Sequence, residues 1–231
     1  EAAPLPAGLR ALRPEGRRHV VLQADDFTEG GLEQVVIDLA DALHAEGFTT
    51  SLLILGEQGT AAERARRRGL CVDAVAREPA AYEAYLDGCG AALVNAHYST
   101  FGAELCAGRG VPFVQTVHNM YVWFGAQQVD AYRSADPHTA AYVCVSNNVA
   151  RYADLRIGLS PSRMLGVPSA GARGFRPRPE HRAAAAGLRR ELGLPDGARV
   201  LLNVASVQPP KGQHLLLSAF AKLAAEHPDA H

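Results

Sequence analysis

Short apolar segments alternate with helix-like segments along most of this chain, and no other feature constrains its fold as strongly. Six segments have the length and composition of β-strands. They lie at 19–24, 49–55, 70–75, 91–95, 111–117 and 140–145. Between strand segments apolar residues recur at helical spacing, as Leu32, Val36 and Leu39 do. Strands that are apolar on both faces are typical of a parallel sheet with helices on both sides, so the sequence predicts an α/β, doubly wound parallel sheet.

Composition divides this pattern into parts. Residues 1–17 are rich in Pro, Gly and Arg, which predicts a leader or linker. Residues 18–168 contain all six strand segments and predict one Rossmann-like domain. Residues 169–197 are again rich in Gly, Pro and Arg around one polar helix, and predict an interdomain linker.

The last part of the chain, residues 198–231, repeats the strand-then-helix pattern once. We expect a strand at 199–205 and a helix at 210–226. One strand and one helix cannot enclose a hydrophobic core. The segment therefore predicts the first strand–helix unit of a truncated second Rossmann-like domain.

Charge and hydropathy exclude several classes of protein. Lys plus Arg total 23 and Asp plus Glu total 24, giving a formal net charge of −1. We expect no nucleic-acid partner, because such binding needs clustered cations that displace counterions. The sequence contains no run of about 18 apolar residues, the length that a membrane-spanning helix needs. The arginine-rich run at 64–68 predicts a solvated helix face, so membrane contact is at most peripheral.

Four cysteines occur without a C-x-x-C motif. Most lie in or beside apolar segments, which predicts free, buried thiols and no zinc site. Free thiols fit a reducing compartment, so we expect a cytoplasmic protein.

In a doubly wound sheet, ligands bind beyond the carboxyl ends of the strands, so residues after each strand are the candidates. After the first strand, Gly30 and Gly31 precede a helix with Glu33 in its first turn. Glycines let the backbone approach a ligand closely, and a helix N-terminus attracts phosphate. An ordinary tight turn would explain the same glycines. The pattern is not G-x-G-x-x-G, which argues against a nicotinamide dinucleotide.

Two histidines occupy the same position relative to their strands. His118 follows the fifth strand and opens an aromatic loop that includes Asn119 and Tyr121. His97 and Tyr98 follow the fourth strand. Histidine can donate a hydrogen bond or exchange a proton near neutral pH. A purely structural role for either histidine stays open.

A third cluster precedes the last helix. Lys211, one of two lysines in the chain, lies at the entry of that helix, five residues after Ser206. An ammonium beside helix amides could hold a diphosphate, and it could equally be a solvated helix-start lysine. Motifs of zinc proteases, α/β-hydrolases and P-loop NTPases do not occur in the sequence.

In this order, the motifs resemble those of the retaining glycosyltransferases of GT-B fold, family 4-like (glycosyl transferases group 1). The matching stretches are TEGGLEQVVIDLADAL, VNAHYS, FVQTVHNMY, YVCVSNNVARY and LLNVASVQPPKGQHLLLSAFAKL. The resemblance implies two Rossmann-like domains facing across a cleft, the first for the acceptor and the second for most of the nucleotide-sugar donor. It also implies transfer with retention of configuration and without a metal or cofactor, the nucleotide sugar being a substrate.

The resemblance implies a role for each candidate residue. Gly30 and Gly31 would lie against the donor diphosphate, and Lys211 would neutralise it as it leaves. Ser206 would adjoin Lys211 in the donor site, and His118 would reach the transferred sugar as the catalytic residue. The expected acceptor-side residues are His97, Tyr98, Asn119 and Tyr121. A departing nucleoside diphosphate builds negative charge, which cations and helix amides can stabilise without a metal.

Three departures from the family pattern keep alternatives open. Ser206 stands where the family often has an arginine, residues 168–172 match a common interdomain segment only loosely, and the family's paired glutamates fall beyond residue 231. We therefore expect these 231 residues to be inactive alone. The alternatives are an inactive GT-B-like scaffold in glycan assembly and a GT-B-like nucleotide-sugar epimerase. The acceptor could be a glycan, a lipid-linked sugar or a small metabolite.

Overall fold

The computed structural model describes residues 19–169 and 178–231. These residues form two compact units, 19–169 and 178–231, and each is described by itself. The predicted leader at 1–17 and residues 170–177 of the predicted linker lie outside the described residues.

The first unit contains a seven-stranded sheet in which every neighbouring pair is parallel. The strands are β1 (His19–Ala24), β2 (Thr49–Ile54), β3 (Cys71–Ala74), β4 (Leu93–His97), β5 (Phe113–Val117), β6 (Ala141–Cys144) and β7 (Met164–Gly166). The α/β, doubly wound prediction is confirmed, and all six predicted strands form. The three-residue β7 went unpredicted because so short an edge strand has no apolar run of its own.

Six α-helices accompany the sheet in the described part of this unit. They are α1 (Gly31–Ala45), α2 (Thr60–Arg67), α3 (Pro79–Cys89), α4 (Ala103–Gly108), α5 (Ala126–Ala135) and α6 (Asn147–Tyr152). The side chain of Ser146 accepts the Val149 N–H at 3.2 Å and caps α6. Helix α5 lies where the sequence predicted only a loop.

Hydrophobic side chains pack on both faces of the sheet, because successive strand residues point in opposite directions. Leu22 packs in one cluster with Val36 and Ile37 of α1. Its neighbour Val21 packs in another cluster with Tyr82 of α3. Burial on both faces explains why the central strands are mainly apolar, with buried polar residues such as Gln23 and Gln115 among them.

The strand order is β3-β2-β1-β4-β5-β6-β7. The chain builds outward from β1 through β2 and β3, then crosses to β4 and builds outward on the other side. The order therefore reverses between β1 and β4. In open α/β sheets, ligands bind in the crevice beyond the carboxyl ends of the strands at this switch point.

The second unit contains helices α7 (Pro179–Glu191) and α8 (Gln213–Glu226). Helix α8 confirms the helix expected at 210–226. The strand expected at 199–205 is wrong, since this segment forms only one isolated bridge, between Arg199 and Ala230. Leu202 and Val204 are 83% and 85% exposed. Arg199 and Leu201 bond through their backbone N–H groups to carbonyl oxygens of residues 229–231, and among the described residues of this unit the pairing does not extend into a strand.

Several smaller expectations concern cysteines and charge. All four cysteines are free, but only Cys106 and Cys144 are buried, while Cys71 is exposed because it begins the edge strand β3. Arg68, in the arginine-rich run, pairs with Asp41 of α1 at 2.9 Å. Across residues 19–169 and 178–231, every helix is too short or too polar to cross a bilayer.

Candidate functional site

Three loops meet at the switch point of the first unit. They follow β1, β4 and β5, and these strands are adjacent in the sheet. The loop after β1 leads to Gly30 and Gly31, His97 ends β4, and His118 follows β5 directly. The candidates of the first unit thus lie at one edge of the sheet, as predicted.

His97 and His118 form a hydrogen-bonded pair. His97 Nδ1 lies 2.8 Å from His118 Nε2, and the ring centroids are 5.0 Å apart. His97 is 1% exposed. Burial, and secondarily the neighbouring His118, lowers the pKa of His97 to about 3, and burial lowers the pKa of His118 to about 4. Both rings are therefore neutral at pH 7, and one donates to the other.

Tyr98 stacks on His118. The ring centroids are 5.8 Å apart and the planes lie within 13° of parallel. Burial raises the pKa of Tyr98, an interaction with Asn119 lowers it, and the Glu33 carboxylate raises it. Glu33 of α1 is therefore close enough to act on Tyr98, which connects the loop after β1 with the two histidines.

Glu33 also lies against Gly30. A Cβ at Gly30 would be 2.7 Å from Glu33 Oε2, so a larger residue there would displace the carboxylate. Glu33 is only 8% exposed. A Cβ at Gly31 would meet no atom within 4 Å, and Gly31 is exposed. Gly30 therefore lies against Glu33, the Glu33 carboxylate acts electrostatically on Tyr98, and Tyr98 stacks on His118. Open space adjoins this series at the start of α1.

Tyr121 supports the backbone of His118. Its hydroxyl accepts the His118 N–H at 3.2 Å, and its ring stacks on Phe124 with centroids 4.5 Å apart. Tyr121 is fully buried, and burial raises its pKa. Although Tyr121 was predicted on the acceptor side, its position in the structure is that of a support for the loop.

Backbone strain is concentrated in this site. Tyr98 and Tyr121 have φ values of 55° and 49°. They are the non-glycine residues with positive φ in the described part of the chain. Such left-handed conformations cost about 1–3 kcal/mol each and cluster at functional sites.

Three side chains were not among the predicted site residues. Asp25 follows β1, and its Oδ2 pairs with Arg77 at 2.5 Å. Its Oδ1 is buried and has no partner in the described ranges. Trp123 is 57% exposed and packs its edge against Tyr121. Glu33, noted only for its place in the first turn of α1, is the third. In the sequence, the acidic residues after β1 and the aromatic loop after β5 were the features that could have identified these three side chains.

Ser206 and Lys211 belong to the second unit. The carbonyl oxygen of Ser206 accepts a hydrogen bond from the Gln213 side chain at 2.8 Å. Lys211 ends a short 3₁₀ turn before α8, and its side chain is exposed. As predicted, Lys211 lies at the entry of a helix.

Within the described ranges, groups of three or more His, Cys, Asp or Glu side chains arranged to hold a metal ion do not occur.

Comparison with known sequences gives a consistent family. The model of Glycosyltransferase Family 4 matches residues 29–169, more than half of the chain. A D-inositol 3-phosphate glycosyltransferase of Nocardioides sp. is 31% identical over 156 residues, covering 59% of this chain and 32% of that protein. Its counterpart in Thermobispora bispora is 33% identical over 158 residues, covering 59% and 34%. The matched region thus spans about a third of the length of these relatives.

Solved structures show the same fold at low sequence identity. Anabaena Alr3699/HepE in complex with UDP superposes with a TM-score of 0.74 at 16% identity, covering 88% of this chain and 57% of that chain. A glycosyltransferase from Rickettsia africae gives a TM-score of 0.70 at 15% identity, covering 92% and 62%. The likeness identifies the fold as the Rossmann-like α/β architecture of GT-B glycosyltransferases.

Proposed function

Because this chain belongs to Glycosyltransferase Family 4, we propose that the protein transfers a sugar from a nucleotide-sugar donor to an acceptor, with retention and without a metal. The observation that carries the proposal is the series from Gly30 to His118, made of one close approach, one electrostatic interaction and one ring stack beside the open start of α1. Helix-start amides suit a diphosphate, and a neutral histidine suits the hydroxyls of a sugar.

The proposed roles follow this geometry. Gly30 and Gly31 lie where backbone amides would receive the donor diphosphate, and His118 lies where it would contact the transferred sugar. Tyr98 and Asn119 border His118 and are assigned to the acceptor side. In this scheme His97 and Tyr121 act through His118.

Departure of the nucleoside diphosphate is the step that needs electrostatic help. Negative charge grows on the leaving oxygen as the glycosidic bond breaks, and preorganised amides and cations stabilise that charge. By sequence resemblance we assign this role to Lys211, with Ser206 beside it in the donor site. A Lys211→Met variant should lower kcat more than it changes the donor KM.

The acceptor class follows from the curated relatives. Both are named as D-inositol 3-phosphate glycosyltransferases, so an inositol phosphate is the first acceptor to test. Unphosphorylated inositol is the matched control, since it differs only in the phosphate.

The test uses the full-length protein with a panel of UDP-, GDP- and ADP-sugars. We expect release of nucleoside diphosphate that depends on the acceptor, continues in excess EDTA, and yields a product with the donor's anomeric configuration by NMR. An inverted product contradicts retention, and loss of activity in EDTA that Mg²⁺ restores contradicts metal independence. Absence of turnover with every donor and acceptor contradicts the enzymatic proposal.

Ser206 favours a second candidate, a catalytically inactive GT-B-like partner in glycan assembly. A neutral side chain stands there where related enzymes often carry an arginine, which weakens the cationic clamp. Such a protein would bind a nucleotide sugar in calorimetry without hydrolysing or transferring it. A Ser206→Arg variant that gained turnover would support this candidate.

We also propose that the protein works in the cytoplasm. All four cysteines are free, which is the state that a reducing compartment maintains. Fractionation of cells that produce the tagged full-length protein tests this placement, and recovery in the secreted fraction contradicts it.

A further inference from the structure

The histidine pair of the site leaves one nitrogen with an unusual environment. His97 is almost completely buried, and its Nε2 has no hydrogen-bond partner among the residues that the structure describes. Its Nδ1 is 2.8 Å from His118 Nε2. Because both rings are neutral, a single proton lies between the two facing nitrogens, and it can belong to either ring.

The two possible arrangements differ in what they bury. If His118 Nε2 carries the shared proton, His97 must carry its own proton on Nε2, which leaves a buried N–H without an acceptor. If His97 Nδ1 carries the shared proton, His97 Nε2 is a bare nitrogen and only an acceptor is unpaired. Buried N–H groups without partners are rarer in folded proteins than unpaired acceptors, and they cost their full desolvation penalty. The second arrangement is therefore favoured.

This choice fixes the chemistry of the exposed side of His118. With Nε2 accepting from His97, the remaining proton of a neutral His118 must be on Nδ1. Within the described part of the chain, His118 Nδ1 makes no hydrogen bond, and it is not a fully buried atom. It therefore reaches solvent as a donor.

We propose that His97 is a positioning residue that donates its Nδ1–H to His118 Nε2 and so makes His118 a neutral hydrogen-bond donor through Nδ1. The inference rests on the proposed function for its ligand, an oxygen of the transferred sugar or of the diphosphate. In this state His118 has no free lone pair facing the crevice and cannot serve as a general base there. The opposite tautomer would present an acceptor at the same place.

The proton positions can be measured without any activity assay. Long-range ¹H–¹⁵N correlation spectra of the full-length protein, ¹⁵N-labelled in histidine, report which ring nitrogen carries the proton. Spectra of His97→Asn and His118→Gln variants assign the signals. We expect Nδ1–H in both rings near pH 7.5. Nε2–H in both rings, or a doubly protonated ring, overturns the proposal.

Two variants of His97 test the positioning role. In His97→Asn the amide N–H takes the place of Nδ1 and can still donate, whereas His97→Asp has a similar shape and only accepts. We expect kcat within about threefold of wild type for Asn and a loss of about 10–100-fold for Asp, the range for outer partners that orient a functional histidine. His138→Asn, before the start of β6, is the control and should leave kcat unchanged.

The outcomes separate the possible failures. Equal kcat values for the folded Asn and Asp variants overturn the positioning role. If His97→Asp does not fold, the tautomers of the wild-type protein and the activity of His97→Asn still test whether His97 donates to His118. If wild-type protein shows the expected tautomers but no transferase activity with any donor, the proposed function fails while the proton arrangement stands.

Discussion

Replacing Tyr121 with Phe removes one hydroxyl from under the site and leaves the packing in place. The hydroxyl accepts the backbone N–H of His118 at 3.2 Å. Phe retains the ring that stacks on Phe124 and contacts Tyr132. The substitution therefore removes the hydrogen bond that holds the His118 loop, together with an interaction between the Tyr121 and Tyr132 hydroxyls.

The size of the effect follows from burial. Tyr121 is fully buried, so no water can easily replace its hydroxyl, and the His118 N–H loses its acceptor. An unpaired buried N–H costs about 1–3 kcal/mol in the free energy of unfolding. Each kcal/mol corresponds to about 2–4 °C in Tm for a domain of this size. If the loop then shifts by about 1 Å, kcat falls by about 100-fold.

The assay compares Tm with kcat in two matched variants of the full-length protein. Tyr142→Phe removes a buried hydroxyl that donates to Asp136 at 2.7 Å, toward the amino end of β6 and away from the site. We expect a similar loss of Tm in both variants and a loss of kcat only in Tyr121→Phe. The reasoning is refuted if Tyr121→Phe loses stability and retains the wild-type kcat.

Three further predictions concern the same site. In Gly30→Ala the new Cβ should displace the Glu33 carboxylate and change the donor KM, and an unchanged donor KM contradicts the proposed diphosphate position. In Gly31→Ala the new Cβ meets open space, so Tm should be unchanged. Glu33→Gln should lower the donor KM about fivefold, because it removes roughly 1 kcal/mol of repulsion between like charges, and calorimetric titration of the donor checks this. Because burial holds the pKa of His97 at about 3 and that of His118 at about 4, against 6.5 in the unfolded chain, the unfolded state binds more protons below pH 6.5. The stability that this difference contributes is present above pH 6.5 and is lost as pH falls through about 4 to 3. Urea melts at several pH values should therefore show that the free energy of unfolding depends less on pH in His97→Asn than in wild type.

The central strands of the first unit could be predicted because they are buried on both faces. Leu22 and Val21 belong to different clusters although they are consecutive, so the sequence of such a strand is mainly apolar. A similarly apolar composition at 199–205 predicted a strand that does not form. Leu202 and Val204 are as apolar as any strand residue, yet they are exposed, because hydrogen-bonding neighbours decide whether a strand forms and sequence composition does not report them.

The candidate site was predictable in place and less so in detail. Parallel strands bring the residues that follow them to one edge, and Gly30, Tyr98 and His118 follow strands that are adjacent in the sheet. Burial within the loops could not be inferred. Tyr121 turns its ring inward at positive φ, and Glu33 folds back against Gly30, and both depend on contacts between segments far apart in the sequence.

The histidine pair shows what strand order adds to a sequence. In the parallel register of β4 and β5, His97 is opposite Thr116. His118 is two residues beyond Thr116, and side chains two residues apart in an extended strand point to the same face. The rings of His97 and His118 can therefore meet only if β4 and β5 are neighbours. Other strand orders of a doubly wound sheet would separate the two rings by at least one strand spacing, about 4.8 Å more. The proton arrangement that we infer for His118 is therefore a consequence of topology: it arises from which strands are adjacent, and no local motif around either histidine encodes it.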